Sequence, residues 1–213
     1  PVVYSLGFHP KPQFTFSPAL GLGIPSLGEL VDVRLDVEPE ADQLLGRLNQ
    51  VSPEGITFTG ARRLEVGSPS LARIIQAADL AIMPARWPVD EAALARAGEE
   101  LLGRTEVWIE RQEKAVGAVA GGRRVDVRAH LLSFEVISGF AAEQLRAALG
   151  WAIGGQSAFL RARVRLGATG SVRPIELARA LGFEQAELAR LALVGLGSDE
   201  RPFDPFEAPP SPP

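Results

Sequence analysis

The sequence predicts an α+β fold of two tandem ferredoxin-like (βαββαβ) modules, the first lacking its first strand and helix. Three observations lead there. From residue 79 onward, segments of alternating and of 3.6-residue apolar period follow one another in the order β-α-β-β-α-β, the split β-α-β pattern. The first half repeats only the later part of that order, β-β-α-β. A stretch with a helical stripe joins the halves. The implied organisation is an incomplete first module at 1–66, a linking helix at 67–78, a second module at 79–167, C-terminal helices at 168–197 and a disordered proline-rich tail at 198–213.

The elements follow in order. Val2–Leu6 is short and β-prone. In "LVDVRLDV", Val31, Val33, Leu35 and Val37 alternate with Asp32, Arg34 and Asp36, the mark of a half-buried strand. Pro39 suits a first helical turn, and Leu44, Leu45, Leu48 and Val51 recur at helical spacing. "PEGITFTGARRL" reads as a turn and strand. Ser68 and Pro69 open the linking helix, whose stripe is Leu71, Ile74, Ile75 and Ala78. "ADLAIMPA" reads as a strand. "VDEAALARAGEELLG" reads as a helix capped by Asp90 and ended by Gly103.

"TEVWIERQ" is a strand, "EKAVGAVAGG" a turn and "RRVDVRAHLLSFEVI" a long strand. Its apolar phase flips between Val125/Val127 and Leu132/Phe134/Val136, so a bulge or bend is expected near His130. "AAEQLRAALG" is helical and "AFLRARVRL" a strand. "RPIELARALG" and "EQAELARLALVGL" read as the two closing helices. The acidic, proline-rich "DERPFDPFEAPPSPP" has no apolar period and reads as disordered.

Composition excludes several chemistries. Without cysteine the chain has no disulfide, thiolate metal site, iron–sulfur cluster or cysteine nucleophile. No apolar run is long enough to span a bilayer and no signal peptide is visible, so a cytoplasmic protein with no membrane contact is expected. The net charge of −4 exerts no global pull on nucleic acid. Charge is unevenly placed, however. Residues 104–173 hold eleven basic against six acidic side chains, between acidic flanks.

Four stretches carry candidate chemistry. "SLGFHPKPQFTF" puts His9, one of two histidines, and Lys11, one of two lysines, on a loop stiffened by Pro10 and Pro12, with Gly7 and Phe8 beside them. Such a loop can hold a phosphate or place His9 as a general acid or base. It can equally be structural, with its Phe side chains packed inward.

"FLRARVRL" puts Arg161, Arg163 and Arg165 on one strand face with Phe159, neighbours roughly 6.5–7 Å apart. An aromatic beside an arginine row suits single-stranded RNA, whereas acids from neighbouring strands would make it an ordinary paired face. "GGRRVDVRAH" adds Arg123, Arg124 and Arg128, with Asp126 and His130 on the same face as Arg128. "TGSVRPIEL" sets Arg173 at a helix start, where it suits a phosphate or plain capping. Two histidines among scattered acids have no metal-ligand spacing.

Taken in order, "YSLGFHPKPQFTFSPALGLG", "SPSLARII", "RRVDVRAHLL" and "GSVRPIEL" resemble an uncharacterised bacterial domain family whose members are fused to, or encoded beside, radical SAM proteins. The resemblance runs over about residues 3 to 180, and the GFHP-K-P segment followed by a Phe and Pro-Ala-Leu is its specific part. The family starts with a basic strand and a helix ahead of this loop, which are missing here. The position before "VDVR", often Lys in the family, is Arg124.

The resemblance implies a bacterial companion to a radical SAM partner, in tRNA or rRNA modification. The partner is expected to use SAM and an iron–sulfur cluster, which this chain, lacking cysteine, cannot bind by thiolates. Tandem ferredoxin-like modules with a glycine-rich loop are also similar in topology to the repeat-processing RNA endonucleases of CRISPR systems.

The leading expectation is therefore an accessory domain that binds structured RNA. Lys11, Arg123, Arg124, Arg128, Arg161, Arg163, Arg165 and Arg173 are its expected contacts, with Phe159 stacking. The alternatives are a protein-docking module that touches no RNA and a metal-independent endoribonuclease using His9.

Overall fold

The apolar run Ile75–Pro84 becomes the centre of the molecule in the computed structural model, which describes residues 1–65, 67–85, 91–112, 122–151, 158–167 and 170–207. This strand, β3, is buried at every position but Gln76. A strand covered on both faces needs no alternation, so its sequence also fits a helix. That ambiguity explains the linking helix expected at 67–78. The helix is a single turn, α2 (Leu71–Ile74), and the chain is extended from Ile75.

The elements before β3 are few. Strands β1 (Phe14–Phe16) and β2 (Val31–Val33) pair antiparallel, and isolated bridges join Val2 to Leu35 and Tyr4 to Pro12. Helix α1 spans Ala41–Val51. The strand expected within 53–64 is absent. There the Asn49 side chain takes the place of a strand partner, accepting from Phe58 N–H at 2.8 Å and donating to Phe58 C=O at 2.9 Å.

After β3 come α3 (Glu91–Gly103), β4 (Trp108–Gln112), β5 (Gly122–Asp126), a 3-10 turn at Arg128–His130, β6 (Leu131–Ser138), α4 (Gly139–Ala148), β7 (Ala158–Gly167), β8 (Gly170–Ser171), α5 (Pro174–Ala180), β9 (Ala186–Leu196) and β10 (Pro202–Phe203). The 3-10 turn is the bend expected near His130. The Asp90 cap and the turn within 113–121 lie outside the described residues.

The main sheet has the order β10-β9-β3-β7-β6, every neighbouring pair antiparallel, with β8 on β7. Strands β3 and β6 thus run parallel with β7 between them, and β7 and β9 run parallel with β3 between them. Two split β-α-β units, β3-α3-β6 and β7-α5-β9, interlock. The strands at 108–112 and 122–126, expected in this sheet, instead form a separate hairpin.

The second closing helix expected from "EQAELARLALVGL" is strand β9, paired with β3 from Ile75 to Pro84. Its Ala and Leu residues favour helix locally, but nine paired positions beside a buried strand override that preference. Within the segment expected as a disordered tail, Pro202–Phe203 forms β10, Pro205 is fully buried and its C=O accepts from Arg62; residues 208–213 lie outside the described residues.

Alternation on β3 and β7 divides the core. Leu80, Ile82, Leu160, Ala162 and Val164 face Leu94 and Leu101 of α3 and Leu177 of α5. Ala81, Met83, Phe159 and Ala189 face Ala142 of α4 on the other side.

Candidate functional site

The side of the sheet under α4 is apolar only at one end, and the arginine row occupies the rest. Register sets Arg163 opposite Asp79 on β3 and opposite Ser133 on β6, and Arg161 opposite Ala81 and Glu135. Arg163 donates two hydrogen bonds to Asp79, Nε to Oδ1 at 2.7 Å and Nη2 to Oδ2 at 2.8 Å. The hydrogen bond to Asp79 raises the pKa of Arg163 above its ordinary value, against the opposing effect of burial. Arg161 lies 3.2 Å from Glu135 and 3.8 Å from Asp79. Arg165 donates to Glu200 at 2.9 Å. Each arginine of the row thus has an acid beside it.

Phe159 is fully buried and meets Trp151 edge-on, ring centroids 6.4 Å apart. It fills the core under α4 rather than the open part of the face.

The other expected contacts lie elsewhere. Arg123 and Arg124 are exposed on β5, on the hairpin packed against the α3–α5 side through Val107 and Ile109. The Arg124 guanidinium sits over the Trp108 ring, 5.1 Å from its centroid. Arg128 is tied into the backbone, donating to Leu102 C=O at 3.0 Å and to Leu131 C=O at 3.2 Å. Arg173 is exposed at the start of α5, its N–H donating to Glu176 at 2.8 Å.

Glu176 is buried and also receives a bidentate pair from Arg111, at 2.6 and 2.7 Å. Burial pushes its pKa up, but the hydrogen bonds from Arg111 and from Arg173 N–H, with both guanidinium charges, hold it below the ordinary value. Arg123, Arg124 and Arg173 thus belong to the side of the sheet opposite the Arg161–Arg165 row.

The opening loop is an exposed hairpin. Ser5 N–H donates to Lys11 C=O at 2.8 Å, and Lys11 N–H to Ser5 Oγ at 3.0 Å. Gly7 turns at φ 136°, a conformation other residues resist. His9, Lys11, Pro10 and Pro12 are exposed. Leu6 and Phe8 are fully exposed, as is Leu22 on the following loop, and Tyr4 and Phe16 are more than half exposed. The Phe side chains do not turn inward as a purely structural loop requires.

The base of this region is anchored to the outer edge of β9. Arg190 N–H donates to Pro25 C=O and Leu27 N–H to Arg190 C=O. The buried Arg190 side chain reaches Glu29 at 2.8 and 2.9 Å and Pro18 C=O at 3.0 Å. Glu29 also accepts from Ser17 and Ser26.

Asp79, Glu29 and Arg190 were not singled out by sequence, although a signal was present. A lone charge inside an apolar run, such as Asp79 in "IIQAADLAIM" or Arg190 in "LARLALVGL", demands a partner of opposite charge once the run is buried. Among the described residues no group of three or more His, Asp or Glu is placed to hold a metal ion, and no helix is long and apolar enough to cross a membrane.

A family model described as an uncharacterised protein conserved in bacteria, DUF2344, matches residues 1–174. The chain belongs to the DUF2344 family. It matches no curated protein and no solved structure. The match takes in the opening hairpin, the arginine row and the β4–β5 hairpin of this DUF2344 chain, and it ends at the first residue of α5.

Proposed function

We propose that this chain is a protein-docking module that inserts its opening hairpin into an apolar groove of a radical SAM partner, the companion that the sequence resemblance implies. One observation carries the reading. Leu6 and Phe8 are fully exposed at the hairpin tip, with Tyr4 and Phe16 behind them, although a folded chain ordinarily buries such side chains. From Tyr4 to Ile24 the only ionisable side chains besides Tyr4 are His9 and Lys11, so the groove would be apolar with a neutral or acidic rim. We read the supporting architecture as one ferredoxin-like module made of β3, α3, β6, β7, α5 and β9, with the expected first module reduced to the β1–β2 pair.

The test is co-purification with a radical SAM protein of the same genome, followed by affinity measurement with Leu6→Ser and Phe8→Ser. Loss of an aromatic anchor should weaken binding at least about tenfold, near 1.4 kcal/mol, with no change in melting temperature because neither side chain is packed. Unchanged affinity in the double variant overturns the reading.

The β4–β5 hairpin supports a second reading, RNA contact. Trp108 is about half exposed, with Arg124 stacked on it and Arg123 exposed alongside. Labelled tRNA should then bind, with affinity falling steeply between about 50 and 200 mM salt. Arg123→Ala with Arg124→Ala should reduce that binding, and no binding at low salt removes this reading. The endoribonuclease reading has less support, since the exposed His9 has only Lys11 as a basic side chain on its hairpin; RNA cleavage abolished by His9→Ala would restore it.

A further inference from the structure

The open part of the arginine face holds a polar cavity of about 210 Å3, lined by Asp79, Ser133, Phe134, Glu135, Arg161 and Arg163. Two of its charges are already matched. Asp79 and Arg163 hold each other through two short hydrogen bonds, and neither can be withdrawn without leaving the other poorly solvated.

Arg161 is different. Its Nε lies 3.8 Å from Asp79, too far for a hydrogen bond, and its Nη1 lies 3.2 Å from Glu135. Among the described residues its side chain makes no hydrogen bond, although a guanidinium has five N–H donors. It is 38% exposed, and Glu135 is 48% exposed. A cation with unused donors therefore faces the cavity, loosely held by a carboxylate that is itself free to leave.

We propose that this cavity receives a single carboxylate, which displaces Glu135 from Arg161. The carboxylate comes either from an acidic side chain or C-terminus of a bound polypeptide or from a small free acid. The inference does not rest on docking through the opening hairpin. A planar carboxylate matches the guanidinium fork, and the Ser133 hydroxyl, on the same face of β6, supplies a further donor. Charge selects a monoanion. Asp79 is neutralised by Arg163, so displacing Glu135 leaves one positive charge to satisfy. A phosphate dianion brings a second negative charge close to both acids.

The test is an NMR titration of the full chain with butyrate, a monocarboxylate, and with a short peptide carrying one glutamate and an amidated C-terminus, beside inorganic phosphate and a short single-stranded RNA. Either acid should give saturable shifts at the Arg161 Nε–H and at the Ser133 and Glu135 amides. Glu135→Gln removes the competitor and should tighten binding by about threefold, the effect of one exposed ion pair.

Arg161→Ala should abolish the shifts. Should that variant fail to fold, Arg161→Lys, which keeps the charge but loses the fork, should weaken binding and still decide the matter. A peptide that binds more tightly than butyrate assigns a polypeptide ligand; the reverse assigns a free acid. The proposal is overturned if neither acid shifts these signals, if Glu135→Gln weakens binding, or if phosphate or RNA saturates the same signals at lower concentration.

Discussion

Asp79 and Arg163 face each other across the β3–β7 pair and share two hydrogen bonds of 2.7 and 2.8 Å in the interior of the sheet. Asp79 is almost completely buried on a strand whose other neighbours are apolar. Removing its carboxylate leaves a partly buried guanidinium without its main partner. Asp79→Ala should therefore lower stability by about 3 kcal/mol in a denaturant titration. Asp79→Leu combined with Arg163→Met should recover most of that loss, since a well-packed apolar pair replaces a buried ion pair at little cost.

Gly98 reverses the usual sign of a helix substitution. Glycine inside a helix is ordinarily worse than alanine by about 1 kcal/mol. Here a Cβ at position 98 of α3 would lie 2.4 Å from the Phe134 ring of β6. Gly98→Ala should destabilise by about 1–3 kcal/mol through overpacking. Gly98→Ala with Phe134→Leu should be more stable than Gly98→Ala alone, as thermal melts of the three proteins will show.

Glu176 makes the link between α5 and the β4–β5 hairpin sensitive to acid. Its pKa in the fold lies below the ordinary value of 4.5. A depressed carboxylate contributes stability that is present above its unfolded pKa and is lost as pH falls through the folded one. The contribution should be complete near neutral pH and disappear in the acid range below 4.5. Glu176→Gln should flatten the stability-against-pH curve in that window and leave the neutral-to-alkaline limb unchanged in shape.

Arg190 gives a further prediction. It is buried, and Glu29 neutralises it from 161 residues away in sequence. Glu29→Ala should lower the melting temperature and make the opening segment sensitive to protease, while Glu29→Asp should be intermediate. Limited proteolysis between residues 5 and 24 reads the effect directly.

Much of the architecture was legible in the sequence. The alternation of Val31 and Val33, the helix ending at Gly103, the strand "AFLRARVRL" and the bend before Leu131 all follow from periodicity and turn chemistry. Two of the misread stretches share one cause. Ile75–Ala78, expected to end the linking helix, and Ala186–Leu196, expected as a closing helix, lie beside each other in the sheet, and their nearly continuous apolar character hides any strand period. Which strand is central is a tertiary fact that local pattern does not carry. The same blindness affected the site. The arginine row was visible, but Asp79, Glu135 and Glu200 come from three other segments, and only the register of β3, β6 and β7 and the turn after β9 bring them alongside. Phe159 shares the arginines' strand face, yet α4 closes over its end of that face.

The anchoring of the opening segment on β9 has a consequence for the order of events during synthesis. Pro25, Leu27 and Glu29 wait for Arg190, and Gly60 and Arg62 wait for Pro205 and Phe206. The first third of the chain leaves the ribosome long before its partners exist, at about 5–20 residues per second. The nascent hairpin with Leu6 and Phe8 has its local bridges to Leu35 and Arg34 early, but spends roughly 8–30 seconds without its anchor on β9. It is then a natural substrate for a holding chaperone, and a ribosome stalled before residue 190 leaves it open to the cell's quality control.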